Sequence, residues 1–214
     1  MKTNARELAY QTIKYRILSC EYVPGCMLNE TRLSQEIGVS RTPIREALND
    51  LSHELLVTVY PKRGTIVNPI DLEAVNEVYQ VRNLVEPFIV RTYGAMIDKG
   101  RLIASRKNQV YIQQGDVHAS THYEADEDLH QIIMDANPNK YLAEALMRVY
   151  DQNRRIRIMT GNRDSHRLGC SCIEHIKIID NILCNEYEAA AREMQNHLLS
   201  SWKATIDLLV MRDE

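Results

Sequence analysis

The stretch from Gly38 to Leu48, GVSRTPIREAL, constrains the fold of this chain more than any other. A glycine closes one short amphipathic segment, and a hydroxyl, an arginine and a proline open the next. Glu30 to Ile37 reads as a short helix with Asn29 as its N-cap, ended by Gly38. The next helix begins at Ser40 to Pro43 and runs to about Glu54. Ser40 or Thr42 can cap it, and Pro43 suits a first turn because an N–H there has no intrahelical acceptor. Ile44, Ala47, Leu48, Leu51 and Leu55 form its apolar stripe. Arg41, Arg45 and Asn49 recur at i, i+4 and i+8 on the opposite side.

The flanks extend the pattern. A helix over Ala5 to Ser19 repeats Ala9, Ile13 and Ile17 at a spacing of four and stops before the turn at Pro24-Gly25. After Glu54 the period changes. LVTVY and TIV are β-branched and short, with PKRG (Pro61 to Gly64) between them, which predicts a two-stranded hairpin. A domain boundary is expected at Asn68 to Ile70, separating residues 1–68 from 71–214. Asp71 then caps a helix with Val75, Val78, Val81/Arg82, Val85 and Phe88/Ile89 along one face. Further helices are expected near 100–114, 118–135, 139–159, 166–184 and 186–210, with breaks at Gly115, Asn137 to Asn139 and Gly161. The fold class is mainly α: three helices and a hairpin, then an all-helical bundle.

Composition agrees and excludes some classes. Hydrophobic residues make up 44% of 214, and Gly and Pro number only 8 and 6, so a helical, core-forming chain is expected. No run of about 18 apolar residues predicts a membrane span, and MKTNARELAYQTIKYRIL lacks the apolar stretch of a secretory signal. Five cysteines without a disulfide framework suit a reducing cytoplasm, and the close pair Cys170 and Cys172 has no second pair at zinc-finger spacing. Residues 1–68 carry nine Lys/Arg against seven acids, whereas the remainder has 17 against 22. A mildly basic front and an acidic back imply units with different partners.

Two helices joined by a glycine turn, with arginines on the second, make a helix-turn-helix. Its second helix enters the DNA major groove, where Arg can make paired bonds to guanine or hold phosphate. Lys62, Arg63 and Gly64 at the hairpin tip would form a wing reaching phosphates or the minor groove. Residues 8–68 resemble the winged helix-turn-helix of the GntR family of bacterial transcriptional regulators. The match lies in Pro24-Gly25, Leu28, Glu30, Leu33, Gly38 to Pro43, Arg45 to Leu48, Leu51 and Gly64. The resemblance implies DNA contacts from Arg32, Ser40, Arg41, Thr42, Arg45, Asn49, Lys62, Arg63 and Gly64. It departs from the family at Thr31, where many members carry an Arg or other residue used at the DNA backbone, and at HELL (His53 to Leu56), which replaces a usual glycine before the wing.

A second motif is DEDLH, Asp126 to His130. Asp126 and His130 share a helix face, and the stripe His118, His122, Asp126, His130 steps by four, so spacing alone leaves open which members act together. His175 and His197 stand among apolar residues of two later helices, where a buried imidazole needs a partner. VYQVRNLVEP, DEDLH, NPNKYLAEAL, EHIKIIDNI and EYEAAAREMQNHL together resemble, in order, the helical ligand-binding FCD domain of the FadR subfamily. That resemblance implies a divalent metal, zinc, nickel or manganese, on Asp126, His130, His175 and His197. It also implies that Arg82 meets the carboxylate of a small organic acid, against the alternative of a surface salt bridge. RRIRI (Arg154 to Ile158) could add to the pocket or form a solvated face. The reading expected is a homodimeric DNA-binding regulator, a repressor released from its operator by an acid. The alternative is a metal-dependent hydrolase using the Asp/His set, although no HExxH motif supplies a general base.

Overall fold

A computed structural model describes residues 4–115, 119–160 and 165–211. The elements run α1 (Ala5–Leu18), β1 (Met27–Leu28), α2 (Glu30–Ile37), α3 (Arg41–His53), β2 (Val57–Tyr60), β3 (Gly64–Val67), α4 (Leu72–Tyr93), a 3-10 turn (Gly94–Met96), α5 (Lys99–Gln114), α6 (Ala119–Asp135), α7 (Lys140–Thr160), α8 (Ser165–Leu183) and α9 (Tyr187–Val210). The chain forms two compact units. One holds the residues up to Ala74 together with Tyr150–Met159; the other holds Val75–Val149 and the residues from Thr160 onward.

In the first unit, Asn29 accepts from the amides of Thr31 and Arg32 and so starts α2. Gly38 ends it in the left-handed conformation, φ 76°, which glycine adopts without steric cost. Ser40 occupies the N-cap position of α3, but its side chain makes no capping bond. Ala9, Ile13 and Ile17 of α1 pack with Leu33, Ile44, Ala47, Leu48, Leu51 and Leu56 in one core.

The sheet has three antiparallel strands rather than two, in the order β1-β3-β2. β1 is only two residues long, too short for any alternation to show in the sequence. Leu55 departs from the expected apolar stripe. It lies beyond the end of α3 with φ 62° and is 64% exposed, while the next residue, Leu56, takes the buried place.

Residues Tyr150–Met159 complete this unit. Asp151 pairs with Lys14 Nζ at 2.8 Å, and Gln152 Nε2 donates to the Leu55 carbonyl at 2.8 Å. Arg155 is wholly buried and donates to the Asn68 carbonyl at 2.5 Å and to Gln152 Oε1 at 2.6 Å. RRIRI is therefore not simply a solvated face: Arg154 is exposed, but Arg155 and Ile156 are buried.

Every element among the described residues of the second unit is a helix. α4 begins at the end of the first unit, where Asp71 Oδ1 accepts from the Ala74 amide; Asp98 and Asn139 cap α5 and α7 in the same way. α4 continues through Pro87. Its buried face carries Val75, Val78, Tyr79, Ile89 and Val90, but also Arg82 and Glu86. Gly94 lets the 3-10 turn approach Tyr187, since a Cβ there would stand 2.3 Å from the ring. The expected break at Gly161 lies outside the described residues, as does His118. No helix among the described residues is long and apolar enough to cross a membrane.

Candidate metal centre and nucleic-acid interface

α6 places Asp126 and His130 one turn apart, and α8 and α9 bring His175 and His197 to them. Ligand atoms of these four residues lie within 4.8 Å of one another, the one such grouping among the described residues. His175 Nε2 is 3.3 Å from both Asp126 Oδ1 and His197 Nε2. His130 Nε2 and His197 Nε2 stand 3.8 and 3.9 Å from the same carboxylate oxygen. A tetrahedral zinc with bonds of about 2.0–2.1 Å spaces its ligand atoms roughly 3.3–3.4 Å apart, so the pairs made by His175 Nε2 already match that spacing and the wider pairs would have to contract on an ion.

The second ring nitrogens support that reading. His130 Nδ1 meets Glu86 Oε2 at 2.5 Å, and His197 Nδ1 meets Glu174 Oε2 at 2.7 Å. A carboxylate accepts, so each Nδ1 carries the proton and each Nε2 presents a lone pair to the centre. Lone pairs on buried rings facing one carboxylate repel unless a proton or a cation stands among them. Burial, reinforced by His175, lowers the pKa of His197 to about 3, which keeps the ring neutral and fit to ligate. Burial likewise lowers the pKa of His175.

Behind the histidines stand two carboxylates that the sequence reading did not single out. Glu86 is fully buried. Burial pushes its pKa up, but Arg82 and His130 outweigh that and hold it at about 2. Arg82 Nε reaches Glu86 Oε1 at 2.6 Å. Arg82 Nη2 also lies 3.3 Å from His130 Nδ1, but the shorter carboxylate contact makes that nitrogen a donor. Glu174 is held by both terminal nitrogens of Arg167, at 3.0 and 2.8 Å. Arg82 is not on the surface: it is 2% exposed, and its guanidinium already faces a carboxylate of its own helix. The spacing of Arg82 and Glu86, i and i+4 on an apolar face, was a readable signal. Glu174, beside His175, carried none.

His122 stands apart from the four. Its Nδ1 lies 3.6 Å from Cys172 Sγ, and burial raises the pKa of that thiol to about 11. Neither Cys170 nor Cys172 belongs to a metal-ligating group among the described residues.

In the first unit, Arg41, Thr42, Arg45 and Asn49 are exposed on α3, opposite buried Ile44, Ala47 and Leu48. No acid occupies the first turn of α3, so the partial positive charge of its N-terminus is not neutralised there. Two of the arginines are held by chain carboxylates. Arg45 Nε bonds Glu30 at 2.6 Å, and Arg32 Nε bonds Glu36 at 2.6 Å. Asn49 faces His53 at 3.3 Å. Ser40 is exposed at the start of α3, and Lys62, Arg63 and Gly64 are exposed at the hairpin tip.

Comparison with known proteins follows the same division. Residues 5–67 match the family model of bacterial regulatory proteins of the GntR family, and residues 77–200 match that of the FCD domain. An HTH-type transcriptional regulator from an unstable DNA locus of Streptomyces ambofaciens is 29% identical, over 92% of this chain and 83% of its own length. The HTH-type transcriptional repressor RspR of Escherichia coli is 25% identical, over 88% and 83%. Among solved structures, a GntR transcriptional regulator from a Rhodococcus species superposes with a TM-score of 0.79 at 21% identity, covering 96% of this chain and 99% of that one. A Zn2+-bound FCD domain superposes with a TM-score of 0.55 at 23% identity, covering 67% and 99%. At these identities the two structures speak to fold alone.

Proposed function

Because the chain belongs to the GntR family of bacterial transcriptional regulators and carries an FCD domain, we propose that it is a cytoplasmic repressor whose grip on DNA is set by a small organic acid bound beside a divalent metal. A homodimer would place two α3 helices in successive major grooves of a pseudo-palindromic operator. Arg41, Arg45 and Asn49 would meet bases, while Arg32, Ser40, Thr42, Lys62, Arg63 and Gly64 would meet the backbone. The observation that carries the effector half of this reading is the convergence of Asp126, His130, His175 and His197. Three imidazoles and one carboxylate suit zinc, nickel or manganese, and a bound ion of this kind can accept a carboxylate oxygen at an open position. The zinc in the FCD relative supports the choice. Arg82 would meet the acid only by competing with Glu86.

The hydrolase alternative has no support. The chain belongs with transcriptional regulators, and Glu86 and Glu174, the two carboxylates bonded to the imidazoles, are engaged on the sides that face away from Asp126. An acid would act by binding the DNA-competent and DNA-incompetent states unequally.

Selection of bound duplexes from a random library, followed by gel shift, tests the reading. The expected selection is a pseudo-palindrome. Arg45→Ala should weaken its binding by about 1–3 kcal/mol while leaving the melting temperature nearly unchanged, since an exposed ion pair is worth only about 0–1 kcal/mol. A panel of small organic acids should release the duplex from metal-loaded protein and not from chelator-treated protein. Selection of no sequence, or an acid response indifferent to metal, refutes it.

A further inference from the structure

The three imidazoles of the centre are not equivalent. His130 and His197 each donate a hydrogen bond from Nδ1 to a carboxylate that an arginine holds in turn. One chain of contacts runs from Arg82 through Glu86 on α4 to His130 on α6. The other runs from Arg167 through Glu174 on α8 to His197 on α9, and Arg167 is itself fixed by Ser201 Oγ at 2.8 Å. His175 has no such support: its Nδ1 is buried and without a hydrogen-bond partner.

We propose that Glu86 and Glu174 are positioning residues that lock His130 and His197 as preset metal ligands, leaving His175 as the ligand that adjusts. Each carboxylate selects the tautomer with a free Nε2 lone pair, fixes the ring plane, and raises the electron density offered to a cation. His175 enters the ion's shell by moving its proton to Nδ1, where no acceptor waits. Its ring is therefore the one free to settle last or to yield first.

The inference rests on the metal reading above, and its test separates the two. Full-length protein is stripped with a chelator and titrated with Zn2+ against a chromophoric competitor, as wild type, Glu174→Gln and Glu86→Gln. Both variants should bind zinc about 10–100-fold more weakly, with the melting midpoint of metal-free Glu174→Gln unchanged. Histidine 15N shifts of the zinc-loaded wild type should report protonated Nδ1 at His130 and His197. Glu86→Gln leaves Arg82 buried without its counter-charge, so if that variant fails to fold, Glu174→Gln decides. Wild-type binding with an undiminished Glu174→Gln affinity overturns the positioning role alone. No zinc binding by the wild type overturns the metal reading and this proposal with it. Lost affinity matched by an equal loss of metal-free stability assigns Glu174 to folding and overturns the role as well.

Discussion

Leu55 shows how a single residue can hold a turn it does not suit. Its φ of 62° costs a β-carbon-bearing residue about 1–2 kcal/mol, and its exposed side chain recovers little of that by burial. Its carbonyl, not its side chain, matters: it accepts from Asn68 and Gln152. Leu55→Gly should keep both bonds and raise stability by about 0.5–1 kcal/mol, read as a higher urea midpoint. The resemblance had pointed to this place, because the usual glycine is missing within His53 to Leu56. The stripe nevertheless claimed Leu55 for the core, since apolar spacing cannot register where a helix stops. Asp126, His130, His175 and His197 were legible only through the resemblance. Periodicity put His175 and His197 on apolar faces and Asp126 with His130 in a stripe of four, but three separate helices had to meet before they became one site. Glu86 is marked only by its i, i+4 spacing from Arg82, and Glu174 by nothing, because a carboxylate behind an imidazole of another helix leaves no spacing that ties the two together.

At the scale of elements, helix bounds were the most readable feature. α2 runs from Glu30 to Ile37, as its cap and closing glycine require. α4 passes Pro87 because its fixed φ is compatible with a helix and the surrounding turns hold the direction. The two-residue β1 depends on pairing with β3, and the companionship of Tyr150–Met159 with the N-terminal helices on contacts with Lys14, Leu55 and Asn68; both are too distant in the chain for any local pattern to encode. Lys14 shows what that companionship contributes. Its ammonium lies between Glu54 at 2.6 Å and Asp151 at 2.8 Å, with all three side chains about four-fifths buried. Lys14→Met would leave two carboxylates facing each other with no cation between them. The expected loss is about 1–3 kcal/mol of stability, measured by chemical denaturation and smaller at high salt.

For the whole molecule, two compact units mean that one melting temperature is not expected to describe it. The four candidate ligands all belong to the second unit. Zinc at a hundred times its dissociation constant should stabilise that unit by about 2.7 kcal/mol, a rise of roughly 5–11 °C, while the transition of the first unit stays in place. Calorimetry with and without chelator checks this, and His130→Ala should abolish the shift. A rise in both transitions would show that the units unfold as one.

The placement of Arg155 has a consequence for engineering. Hybrid regulators are commonly imagined as cassettes, cut in a linker and rejoined to a new sensor. Here the DNA-reading cassette is not contiguous: part of its interior is supplied from residues 150–159, and Arg155 grips the carbonyl of Asn68, at the natural place to cut. A chimera joined near residue 70 would carry away a groove shaped for a helix it no longer owns. A working exchange would have to transplant Tyr150–Met159 as well.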